Sequence, residues 1–224
     1  MPSLPTSAEL QTLYRGRFAG SEAYRRAVWN VLISDFFVKY LKNADTLLDL
    51  SCGYGEFINQ APCPRRYAMD LNPEARRQLD PEVCFFEQDC CAPWPLPDGV
   101  LDLAFASNFF EHLPDKASLD RVLAQCRRCL KPAGRLIILG PNIKYLPGRY
   151  WDFWDHSLPL TERSLAEGLQ AAGFGLESVR ARFLPYTMSY GPRYPLICLR
   201  AYLRLPLLWK FFGRQYLVVA VKPA

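Results

Sequence analysis

The chain has 224 residues, half of them hydrophobic and 22% charged, a balance that suits one globular domain with its own core and excludes intrinsic disorder. No run of about 18 uninterrupted apolar residues occurs, so no membrane-spanning helix is expected. The opening MPSLPTSAELQTLYRGR lacks the basic-then-apolar order of a secretory signal, and the expectation is a cytoplasmic protein.

The net charge of +5 is unevenly placed. After Glu177 come eight basic side chains and no acidic one, so the chain up to and including Glu177 sums to −3. Such asymmetry marks an anionic partner. The eight cysteines are scattered and include the adjacent pair Cys90 and Cys91, which is not a disulfide framework. Cys126-x-x-Cys129 lies inside a helical pattern with no second pair, so it does not read as a zinc site, and buried or half-buried thiols are expected.

Ser21 opens a predicted helix in which Tyr24, Val28, Leu32, Phe36 and Tyr40 recur every four residues. TLLDL follows, a short apolar run ending in a glycine-rich turn, as in a buried parallel strand. RYAMD and CFFEQD are similar runs ending in an acid, LDLAFAS is a fourth strand and RLIIL a fifth, with helices between them. Asp115 caps a helix carrying Leu119, Val122, Leu123, Cys126 and Leu130, which stops at Lys131-Pro132. Thr161 caps another, with Gly173 just past its end. GLESVRARF and QYLVVAVK are two late strands. The alternation predicts a doubly wound, mostly parallel seven-stranded α/β sheet with right-handed crossovers. The expected plan is one domain: an N-terminal helical cap (1–44), a core (45–183), a lid insert (184–214) and the last strand (215–224).

Chemistry-bearing residues collect at the carboxyl ends of these strands, where open α/β sheets bind ligands. Gly53 and Gly55, in Asp49-Leu50-Ser51-Cys52-Gly53-Tyr54-Gly55, let the backbone turn tightly and approach a ligand. Asp70 ends the second strand, where a carboxylate can accept both hydroxyls of a ribose. Asp89 ends the third, where an acceptor can meet an exocyclic amine. Ser107-Asn108 ends the fourth. Any one of these acids alone reads equally well as a helix cap or a strand-end carboxylate. Three of them after the right glycine turn do not.

In this order the motifs resemble the class I S-adenosylmethionine-dependent methyltransferases, in their small-molecule type 11 branch. LLDLSCGYGEF is similar to that family's first motif and AMDLNP to its second acidic motif. WPLPDGVLDLAFASNFFEHLPD resembles the fourth-strand motif, LKPAGRLIILGPN the stretch into the fifth strand, and LTERSLAEGLQAAGF the helix before the sixth. The likeness spans about residues 45–180. It implies S-adenosylmethionine as cofactor, with Asp49, Ser51, Gly53 and Gly55 around its methionine part and Asp70 on the ribose. Leu71 would lie against the adenine, Asp89 and Cys90 at its edge, and Asn108 near the sulfonium. Ser51 replaces the family's glycine, which suits a backbone that is not left-handed. Arg17, with Tyr14, Arg15 and Phe18, would meet the cofactor's carboxylate.

His112 and His156 are the only side chains whose ordinary pKa is near neutrality, and one of them is expected to deprotonate an oxygen nucleophile. Bracing of a helix is the plainer role for His112. Packing of the aromatic, acidic loop Tyr150–His156 against the insert is the plainer role for His156. Quinone-modifying relatives bind a metal through E-x-x-E-H; here the first acid is Asn108, and no metal is expected. In the insert, Arg200 and Arg204 lie four apart among Leu196, Ile197, Leu199 and Leu203, followed by Trp209, Phe211 and Phe212. This pattern fits a peripheral membrane element, a lid over a small-molecule substrate, or an apolar lid buried on the domain. Nucleic acid is not an expected partner, because the cations are interleaved with leucine and proline. A nicotinamide-binding oxidoreductase is the main alternative, but Ile58 stands where G-x-G-x-x-G needs its third glycine and Glu56 sits where a pyrophosphate would dock. A non-catalytic protein that binds the same cofactor is the other.

Overall fold

The computed structural model describes residues 20–186 and 193–224. Arg17 and its neighbours Tyr14, Arg15 and Phe18 lie outside the described residues. Seven strands form one sheet in the order β3-β2-β1-β4-β5-β7-β6. They are β1 (Thr46–Leu50), β2 (Arg65–Asp70), β3 (Cys84–Glu87), β4 (Leu101–Ser107), β5 (Leu130–Pro141), β6 (Gly175–Arg180) and β7 (Gln215–Val221). Strands β1 to β5 are parallel, and β7 runs antiparallel between β5 and β6. The chain reverses order at β1 and β4, which creates the crevice where such sheets hold ligands.

The N-terminal helix explains its own sequence period. Residues recurring every four positions drift around a helix of 3.6 residues per turn. The chain corrects the drift with a π-helical turn, Ile33–Phe37, between α1 (Glu22–Leu32) and α2 (Val38–Leu41). The wider turn keeps Val28, Leu32 and Phe36 buried on one stripe, with Tyr24 and Tyr40 half-buried at its ends. Asp115 caps α3 (Lys116–Cys129) by accepting from the Ser118 amide at 2.7 Å. Thr161 and Ser164 close a capping box on α4 (Glu162–Ala171), and Gly173 ends it with a φ of +83°.

The alternation of strand and helix is less complete than expected. The β1–β2 and β2–β3 connections carry only 3-10 turns, Ile58–Gln60 and Pro73–Gln78. Pro62 and Pro64 follow the first and Pro73 begins the second; proline lacks the amide of a longer helix and disfavours the helical region for the residue before it. No α-helix therefore starts at Glu56, which forms an ion pair with Arg25 at 2.8 Å. The thiols also differ in part, since Cys84 and Cys198 are exposed while Cys126 and Cys129 are buried in α3.

Two apolar layers sandwich the sheet. Helices α3 and α4 cover one face through Leu119, Val122, Leu123, Leu165 and Leu169. The N-terminal helix covers the other together with α5 (Leu196–Arg204) and α6 (Pro206–Phe212). Phe57, just past the glycine turn, stacks on Phe105 of β4 with ring centroids 3.8 Å apart and 20° between planes. That contact fastens the turn to the core beneath it.

Candidate active site

Backbone conformation carries the turn after β1. Ser51, Gly53 and Gly55 have φ of +53°, +54° and +73°. The backbone at Ser51 is left-handed, contrary to the expectation for a serine there, and costs about 1–2 kcal/mol relative to glycine's freedom. At Gly55 a Cβ would come within 2.6 Å of Leu79 Cδ2 and 3.0 Å of Asn59 Nδ2, so only glycine fits.

Asp70 ties this turn to the end of β2. Its Oδ2 accepts from the Gly53 amide and its Oδ1 from the Asn72 amide, each at 2.8 Å. Burial raises its pKa, and those amides counter the rise. Asp49 is buried at the end of β1, and no described residue donates a hydrogen bond to its carboxylate. Burial first, then the charges of Asp70 and Glu56, push its pKa well above the usual 3.8. Leu71 is exposed directly after Asp70. Asp89 is also exposed, with one oxygen accepting from the Cys91 amide at 2.8 Å. The Cys90 thiol is buried beside the Ser51 backbone, which hydrogen-bonds it, and burial keeps it protonated. Asp49, Ser51, Gly53, Asp70 and Cys90 thus converge at the carboxyl ends of β1 and β2.

Asn108 also adopts a left-handed conformation, with φ of +50°, at the end of β4. Its amide donates to Leu139 O at 2.8 Å, and its side-chain oxygen accepts from Gln215 Nε2 at 3.0 Å. Gln215 begins β7, 107 residues away. Nothing near Asn108 in sequence could reveal that partner.

The two histidines meet at the same edge. Their ring centroids lie 5.1 Å apart. The Ser157 and Leu158 amides donate to Glu111 O at 2.8 and 3.0 Å, which draws the segment after β5 onto the turn Phe110–His112. His156 Nδ1 faces Tyr150 O at 2.8 Å, and its ring lies between Tyr150 and Phe153. His112 Nδ1 faces Asp155 O at 3.1 Å and Asp155 Oδ2 at 3.2 Å. Those oxygens only accept, so each Nδ1 carries the proton and a neutral ring keeps its lone pair on Nε2. Asp155 and Tyr150 are the supporting residues that the sequence did not single out. The adjacency of Asp155 to His156 was a signal, but Asp155 serves His112 instead.

One ligand atom from each of Glu111, His112 and His156 lies within 4.8 Å of the others. Two imidazoles and a carboxylate are a donor set that suits a divalent metal, a cluster not expected from the sequence. The loop also leaves Trp154 89% and Trp151 56% exposed, while Phe153 packs on Tyr186 of the insert at 5.7 Å. Within one loop, Phe153 packs on the insert while Trp151 and Trp154 face outward.

Residues 48–138 match the family described as "Methyltransferase domain". A Mycolicibacterium smegmatis protein whose name places it among S-adenosylmethionine-dependent methyltransferases is 34% identical over 94 residues, covering 41% of this chain and 35% of its own. Trans-aconitate 2-methyltransferase from Azoarcus sp. is 34% identical over 109 residues, covering 46% of this chain and 41% of its own. The chain thus spans 35% to 41% of the length of these curated relatives. Among solved structures, a SAM-dependent methyltransferase from Archaeoglobus fulgidus superposes with a TM-score of 0.70 at 21% identity, covering 95% of this chain and 99% of that one. At this identity the likeness shows the fold. Matched segment, sheet order and glycine turn agree: residues 48–138 carry the match to the methyltransferase-domain family, on a sheet with the fold of a solved SAM-dependent methyltransferase.

Proposed function

We propose that this chain moves a methyl group from S-adenosylmethionine to an oxygen of a small-molecule or lipid- or saccharide-linked acceptor, with the histidine pair as its base. The observation that carries the reading is the pairing of His112 and His156, each held by Nδ1, past the carboxyl ends of β4 and β5.

The residues around the turn fit the cofactor. Asp49 offers a buried carboxylate to an ammonium group, Asp70 is fixed by two amides for a ribose, and Leu71 is exposed to cover an adenine. Ser51, Gly53 and Gly55 would lie along the methionine part, Asp89 and Cys90 at the adenine edge, and Asn108 near the sulfonium. Arg17 is assigned to the cofactor's carboxylate from the sequence pattern. When bound, the cofactor supplies an electrophilic methyl on a good leaving group, so alignment is the protein's chief task and is worth about 7–11 kcal/mol. An oxygen acceptor also has to lose a proton. His112 and His156 present Nε2 for it, a contribution of about 10²–10⁴ in rate. Trp151 and Trp154 flank the approach.

Among the described residues no helix is long and apolar enough to cross a membrane. We place the reaction in the cytoplasm, which suits cysteines that are all unbridged.

The test is a screen of hydroxyl-bearing acceptors with methyl-labelled S-adenosylmethionine. Transfer to an oxygen that slows in His156→Gln or His112→Gln at saturating cofactor supports the reading. Full activity in both variants contradicts the base.

A further inference from the structure

Six of the eleven large hydrophobic side chains left exposed among the described residues fall within one short segment: Tyr194, Ile197, Leu205, Leu207, Phe211 and Phe212. Ile197 is 70%, Leu207 64% and Phe211 63% exposed, values unexpected of a surface that has no partner.

Their exposure is not slack packing, because the inner faces of the same two helices are pinned. Tyr202, Leu203 and Trp209 are buried. Trp209 Nε1 donates to Tyr202 O at 2.8 Å, and the Tyr202 hydroxyl donates to Phe183 O. The Trp209 ring meets Phe183 and Phe36 edge-on, at 5.0 and 6.0 Å. Leu205 and Pro206 turn the corner between α5 and α6, so the outer residues are held away from the core.

Charge narrows the choice of partner. No acidic residue occurs after Glu177. Arg200 turns inward to pair with Asp35 and so does not belong to this face. Arg204 and Lys210 are exposed among the apolar side chains and form no salt bridge with a described residue. Apolar side chains interleaved with exposed cations match a surface whose acyl boundary takes the former and whose headgroup phosphates take the latter.

We propose that the outer face of α5 and α6 docks on an anionic membrane surface. The segment leaves the sheet after β6 and returns at β7 on the edge that carries the histidines. The Asn142 amide at the end of β5 donates to Arg214 O at 3.0 Å, and Gln215 reaches Asn108. Docking therefore brings the site edge close to the bilayer. It does not rest on the methyl-transfer reading.

The test is co-flotation of the full chain with phosphatidylcholine vesicles, with and without about a third of phosphatidylserine, at low salt. The wild type floats with the anionic vesicles and not with the neutral ones, and about 1 M salt, where the Debye length is about 3 Å, weakens the binding. The double variant Leu207→Glu with Phe211→Glu changes only exposed positions. It keeps the wild-type melting temperature and loses about tenfold or more in partitioning. Failure of the wild type to float with anionic vesicles at low salt overturns the proposal, as does equal flotation of the double variant. So does a wild-type dimer in solution that the double variant dissociates, since a second copy then covers the face.

Discussion

At residues 49–55 the chain holds its polar groups with its own backbone. Left-handed residues bend the turn, and the Gly53 amide fixes Asp70. At residues 150–156 the order is reversed: side chains are held by distant carbonyls and by packing, with His112 set by Asp155 and His156 by Tyr150. Both regions lie on the same edge of the sheet. The first is a turn set by its own backbone, and the second hangs a constellation of side chains on a loop.

If the loop supplies chemistry and the turn supplies binding, mutations must separate the two. The largest effect is expected from the histidines. His156→Gln or His112→Gln lowers kcat by about 10²–10⁴ and leaves the cofactor Kd unchanged, as single-turnover kinetics and calorimetry read it. Equal losses in both quantities would merge the two regions into one unit. Next comes Asp70→Ala, which removes a charged acceptor and releases the Gly53 amide. The cofactor Kd rises about 10–100-fold, the value of a hydrogen bond to a charged group.

Asp49 gives a pH-dependent prediction. Its pKa is 3.8 in the unfolded chain and well above that when folded. A carboxyl raised by folding stabilises the protein while protonated, and that contribution is lost as pH rises through the folded value. Charged Asp49 therefore costs stability at neutral pH, and Asp49→Asn without cofactor melts higher there than the wild type. The cofactor's ammonium needs the charged form, so wild-type affinity falls as pH drops through the raised pKa. The Asn variant binds weakly and without that pH dependence. The smallest effect is Ser51→Gly, which relieves a left-handed serine and stabilises the fold by about 0.5–1 kcal/mol, net of glycine's greater freedom when unfolded. A melting curve with no rise would show that Ser51 makes a compensating contact.

The two regions also differ in how far the sequence revealed them. Strands β1 to β7 and the caps at Asp115 and Thr161 were legible, because each depends on residues a few positions apart, and the convergence of Asp49, Gly53 and Asp70 followed from placing them at the ends of neighbouring parallel strands. The missing helices after β1 and β2 were legible in principle, since Pro62, Pro64 and Pro73 argue against them. The partnership of Asn108 with Gln215, and of His112 with His156, was not. Those contacts exist only once β4, β5 and β7 lie side by side. The outward face of α5 and α6 belongs to the same group, because a run of leucines and phenylalanines does not say which of them the core will take.

The most direct test is calorimetric titration of the full chain with S-adenosylmethionine and, separately, with NAD. The cradle at Asp49–Gly55 and Asp70 predicts one saturable site for S-adenosylmethionine, lost in Asp70→Ala, and no heat with NAD. Binding of NAD without binding of S-adenosylmethionine would contradict it.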